Sequence, residues 1–178
     1  MKKLTTTVVI ALALTLSAQA DSFKEKAAQI SHLYQKAVKE MHEGKIDEAR
    51  TNFNKVLRLQ PNHGHAKYHL ARLDVVGKNF ALAQRKKQFK SIKIKVVDFH
   101  ESTLQEALEQ LNVDTLKASE HKFSPNFIIQ DPKGTLKHKQ ITLSMKNVPL
   151  SAVLSYVLDI AGANARFDTH ATVIRPNE

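Results

Sequence analysis

The chain has 178 residues, with 27 Lys and Arg against 17 Asp and Glu, a formal net charge of +10, and neither cysteine nor tryptophan. That length admits one ordinary domain or two small ones, and the missing thiols exclude disulfides and thiol nucleophiles. The basic balance favours anionic partners, while the lack of Trp argues against a stacking platform for sugars or bases.

Residues 1–20 have the three parts of a cleavable secretory signal. Lys2 and Lys3 supply the cationic start, Val8 to Leu16 the apolar run, and Ala18-Gln19-Ala20 the small-residue cleavage pattern. The apolar run is well short of the roughly 20 residues that span a bilayer. A lipid-anchored form needs a cysteine after the cut, and the chain has none. The expected mature protein starts at Asp21 and is periplasmic or secreted, without a transmembrane segment. Removing Lys2 and Lys3 lowers the net charge from +10 to +8. Export makes nucleic acid an unsuitable partner and leaves anionic headgroups, cell-wall polymers or an acidic protein surface.

From Phe23 the apolar residues fall at helical spacing: Phe23, Ala27, Ile30, Tyr34, Ala37, Met41. Gly44 suits a left-handed helix end. A second helix is expected from Ile46 to Leu59, burying Ile46, Ala49, Phe53, Val56 and Leu57, and Pro61 stops it. The pattern resumes with Ala66, Leu70, Ala71 and Leu73, then with Phe80 and Ala83 after an expected break at Gly77. Ala37, Gly44, Ala49, Phe53 and Pro61 stand at the spacing of the tetratricopeptide repeat, and residues 21–90 resemble one good repeat followed by a degenerate one. Glu40 and Lys36 depart from it, standing where the family has an aromatic residue and a leucine. The resemblance implies a concave face that offers Tyr34, Val38, Tyr68 and Arg72 to a partner, although the two tyrosines serve equally well as core.

Between the halves lie Arg85, Lys86, Lys87, Lys90, Lys93 and Lys95, with no carboxylate from Gln84 to Val97. Two readings stand: a solvated helix end favoured by the helix dipole, or a docking patch made by Arg85, Lys86, Lys87 and Lys90 for an acidic partner or anionic surface.

Residues 91–178 read as a small α/β module. Ile92, Ile94 and Val96 alternate as a half-buried strand. Ser102 or Thr103 caps a helix striped by Leu104, Ala107, Leu108 and Leu111. Asn126 to Gln130 is a strand, and Asp131-Pro132-Lys133-Gly134 a turn after which the chain doubles back. Gln140 to Met145 alternates again, and Pro149 opens a helix striped by Leu150, Val153, Leu154, Val157, Leu158 and Ala161, with Gly162 as C-cap. Asn164–Asp168 and Ala171–Arg175 close the chain as a hairpin. The expected fold class is α+β: helical hairpins followed by a βαββαββ module.

Three segments resemble the short N-terminal domain shared by secretins and TonB-dependent receptors: Val97-Asp98-Phe99 with Thr103 to Leu108, Ile141-Thr142-Leu143 through Val148-Pro149-Leu150 to Leu154, and Ala165–Asp168 with Thr172–Ile174. The resemblance implies a non-catalytic envelope module that meets partner proteins or sits in a ring at the periplasmic mouth of a pore. A secretin continues into further modules and a pore region, and a TonB-dependent receptor into a plug and barrel. With the sequence ending at Glu178, the expectation is a free-standing adaptor whose edge strands can add to a partner's sheet. The other expectation, of a different class, is a periplasmic sensor or ligand carrier for signalling or uptake.

No enzymatic constellation emerges. His42-Glu43-Gly44-Lys45-Ile46 starts like a zinc-protease helix but lacks the second histidine, and neither a Gly-x-Ser-x-Gly elbow nor a phosphate-cradling loop occurs. His63, His65 and His69 crowd together, with Asp74 as a possible fourth group, but read as solvated histidines; no metal or cofactor is expected.

Overall fold

A computed structural model describes the backbone of residues 4–177 and the side chains of residues 22–177. Lys2 and Lys3 of the expected export signal lie outside the described residues. Among the described residues no helix is long and apolar enough to cross a membrane. The fold is mixed α+β. The chain divides into two compact units, residues 1–77 and 78–178.

The first unit consists of α1 (Leu4–His42), α2 (Ile46–Leu59) and the N-terminal part of α3 (Gly64–Ser91). Gly44, at φ +78°, reverses the chain after α1, and the Lys45 amide donates to the Glu40 carbonyl across the turn. Gln60 ends α2 just before Pro61, its amide still reaching the Val56 carbonyl. The core is Ala37, Met41, Ala49, Phe53, Val56, Ala66 and Leu73. Ile46 and Leu57, expected to be buried, are half-buried at its margin. Asn52 is buried instead, and its amide donates to the Glu40 carboxylate at 2.7 Å, so the polar residue in an aromatic position has a partner.

The expected helix break at Gly77 does not occur, because α3 runs through it without interruption. A helix-interior glycine costs about 1 kcal/mol against alanine, and here close packing explains it: a Cβ at this position would sit 2.9 Å from Ile46 Cγ1.

The second unit continues from α3 through β1 (Lys93–Thr103), α4 (Leu104–Ala118), β2 (Phe127–Ile129), β3 (Gln140–Pro149), α5 (Leu150–Ala161), β4 (Ala163–Phe167) and β5 (Thr172–Pro176). β1 and β3 form an antiparallel pair. A separate three-stranded sheet has the order β2-β5-β4, with β2 parallel and β4 antiparallel to β5. The apolar stripes of α4 and α5 share one core with Ile94, Val97, Phe99, Ile141 and Ile174.

Thr103 caps α4 through a reciprocal box in which the Glu106 amide donates to Thr103 Oγ1 and the Thr103 amide to Glu106 Oε2. Those bonds hold the Glu106 carboxyl below its usual range. Pro149 precedes α5 as its N-cap, and Gly162 ends it at φ +66°.

Two details depart from the sequence reading. Val96 is exposed and Val97 buried, so the β1 alternation changes phase after Ile94. The ladder skips the step opposite Asn147, which takes φ +54°. The turn at Asp131 forms, its carboxylate accepting from the Thr135 and Leu136 amides, but β2 and β3 do not pair, and the connection carries the chain from one sheet to the other.

Candidate partner-binding surfaces

In the first unit Tyr34 and Val38 project from α1 and are half-buried against the core. The Tyr34 ring lies 6.1 Å from that of Phe53 and 5.0 Å from the His63 imidazole, with His65 and His69 at 6.4 and 6.0 Å. Tyr68 and Arg72, one turn apart on α3, are exposed; the guanidinium lies over the tyrosine ring at 5.2 Å and donates to its hydroxyl. An open groove of about 450 Å³ is lined in part by Phe23, Ala27, Ile30, Tyr34, Leu59 and His63. Of the four residues expected to meet a partner, only Tyr34 borders it.

The histidines are tied into this packing. His63 Nδ1 accepts from the Ala66 amide at the start of α3, and His69 stacks on Phe53 at 5.5 Å. Burial first, and then the positive surroundings of His65, His42 and Arg72, hold the His69 imidazole below its usual pKa. Asp74 pairs with Arg50 instead of the histidines. Among the described residues no group of three or more histidines and carboxylates is placed to hold a metal ion.

The four basic residues expected to act together separate into two kinds. Arg85 turns inward: its guanidinium donates to the Pro125 carbonyl and lies 5.8 and 5.4 Å from the Phe89 and Phe123 rings. Among the described residues it has no carboxylate partner and its Nε no hydrogen bond, and burial lowers its pKa. Lys86, Lys87 and Lys90 are exposed on the last turns of α3, and none of the ion pairs among the described residues includes them.

Sequence reasoning did not single out the two free edges of the β2-β5-β4 sheet as binding surfaces with their own walls. At one edge the Thr172 amide donates to the Asn126 carbonyl and the Gln130 amide to that of Ile174. Residues 126, 128 and 130 therefore bond with β5, and the amide and carbonyl groups of Phe127 and Ile129 point away from it. Beside them lies a groove of about 380 Å³ walled by Gln105, Glu109 and Asn112 of α4. Ile129 is exposed there, and Ile128 is exposed on the opposite face of the strand.

At the other edge the Asp168 amide donates to the Ala171 carbonyl and the Asn177 amide to that of Gly162, both at 2.9 Å. The register assigns the even-numbered residues of β4 to β5, so the backbone groups of Ala163, Ala165 and Phe167 face outward. Next to Ala165 and Phe167 is an almost wholly apolar cavity of about 290 Å³, floored by Phe89, Leu154 and Leu158, with Lys86 and Lys90 at its rim.

No protein-family model matches the chain, and no curated protein or solved structure matches it.

Proposed function

We propose that the protein is an exported, non-catalytic adaptor whose helical unit and α/β unit each bind protein, as part of a secretin-type secretion or pilus assembly. The α/β unit carries the reading through one observation: the order β2-β5-β4 leaves a free edge on both outer strands, each beside a groove. An unpaired strand edge is a template for a partner's strand, main-chain hydrogen bonds giving affinity and flanking pockets giving selectivity. The segments that resemble the secretin and TonB N-terminal domain supply the envelope setting. In the first unit, the helical-repeat likeness of Ala37, Gly44, Ala49, Phe53 and Pro61 and the groove beside Tyr34 support a second contact. The three exposed lysines at the end of α3 add a positive field that speeds encounter with an acidic surface.

The test is affinity capture from solubilised envelopes with the tagged protein, compared with a Lys86→Glu, Lys87→Glu, Lys90→Glu variant. The expected result is a discrete envelope protein held by the wild type and lost, or released at lower salt, by the variant. Recovery of no envelope protein by the wild type refutes the adaptor reading.

A further inference from the structure

The β4 edge and the cavity beside it are chemically unlike the β2 edge. β2 is three residues long and its groove is walled by amides and the Glu109 carboxylate. β4 is five residues long, its cavity is apolar, and the charges at the rim, Lys86 and Lys90, are both positive. Lys86 Nζ lies 6.0 Å from the Phe167 ring, above the last outward-facing residue of the strand. An extended segment lying beside β4 would hydrogen-bond Ala165 and Phe167. Because strand side chains alternate between faces, it would send every second side chain toward the cavity.

We propose that this edge takes an extended acidic and apolar segment of a partner protein, with one large apolar side chain in the cavity and a carboxylate two residues away on the same face, within reach of Lys86 or Lys90. The outward backbone groups of Ala165 and Phe167 decide for a peptide over an acyl chain with an anionic head. An acyl chain can fill the cavity but makes no use of those donors and acceptors, which it leaves to water, whereas a strand bonds to both. The inference rests on the adaptor reading and names the chemistry of the segment that the α/β unit recognises.

The probe is a blocked peptide, acetyl-Thr-Asp-Val-Leu-Val-Asp-Thr-amide, titrated into the full chain and followed by backbone amide shifts. Its control has both aspartates replaced by lysine, and decanoate is titrated separately. Shifts are expected at Ala165, Phe167 and the last turns of α3, with binding at least about tenfold weaker for the lysine peptide or for a Lys86→Glu, Lys90→Glu variant. Ala165→Pro is the diagnostic variant. The Ala165 amide faces outward, so proline removes a bond to the partner while sparing the β5 ladder, and peptide binding should vanish with the melting temperature retained. If proline does perturb folding, Ser155→Trp closes the cavity mouth from an exposed position on α5 and should have the same effect.

Equal binding of the two peptides, or unchanged binding by the proline and tryptophan variants, overturns the proposal. So does saturation of the cavity by decanoate without any peptide response, which makes it an amphiphile site. Failure of the peptide with envelope capture intact removes this edge alone; loss of envelope capture by the wild type removes the adaptor reading itself.

Discussion

Replacing Phe89 with alanine tests which unit owns the end of α3. The side chain is 1% exposed and meets three rings edge-on, Phe167 at 4.9 Å, Phe123 at 5.5 Å and Phe127 at 6.3 Å, all within the second unit. Removing a fully buried phenylalanine costs about 3–5 kcal/mol, and the ring contacts place this case in the upper half of that range. A domain of this size has roughly 5–15 kcal/mol of total stability. With a urea m-value of about 2 kcal/mol/M, the midpoint should fall by about 2 M. The assay is urea unfolding followed residue by residue through amide signals, with Val153 and Ile174 reporting the second unit and Ala49 and Val56 the first. The second unit's transition should move and the first unit's should stay. The exposed control Lys87→Ala should change neither by more than about 0.5 kcal/mol. In the same way, a fragment starting at Lys78 should fold while one starting at Ser91, without Phe89, should not. A loss under about 1 kcal/mol for Phe89→Ala, or a shift confined to Ala49 and Val56, would refute the assignment of these helical turns to the second core.

Thr103→Ala removes the α4 capping box and should cost about 0.5–2 kcal/mol, read as a lower denaturation midpoint; Thr103→Ser should restore most of it. Gly77→Val forces a branched side chain against Ile46 and should destabilise the first unit by about 1–3 kcal/mol, with Ile46→Ala recovering part of the loss in a double-mutant cycle. His69 titrates below the ordinary histidine value when folded, so the unfolded chain takes up the proton first as pH falls. The first unit's stability should be full above the ordinary histidine pKa and decline as pH drops through it toward the folded value. Melting curves from about pH 7 to about pH 5 should show that slope, and His69→Gln should flatten it.

Much of the local structure was legible because it is decided by neighbours in sequence. The bounds of α2 follow from Gly44 and Pro61, the start of α4 from the Ser102-Thr103 pair, of which Thr103 is the cap, and the end of α5 from Gly162, each a backbone requirement met within a few residues. Periodicity likewise marked the buried stripes of α4 and α5. It missed the change of phase in β1, which falls at the unpaired step opposite Asn147, a residue at φ +54°.

The candidate surfaces were less readable. The basic run around Lys86 was plain in the sequence, yet nothing local separates Arg85 from its neighbours. Its inward turn depends on the Pro125 carbonyl and the Phe123 ring, which are brought to it by the second unit's fold. Similarly, Gly77 reads as a break until Ile46 is packed against it.

By itself, then, the sequence determined the bounds of α2, the end of α5, which stripes are apolar and where positive charge accumulates, since each is set by backbone preference and side-chain chemistry along the chain. Tertiary structure alone decided that β2 and β4 are the sheet's outer strands, that Ala165 and Phe167 keep outward hydrogen-bonding groups, and that Lys86 and Lys90 overlook an apolar cavity. Strand order and register are contacts between distant residues, and no local pattern encodes them.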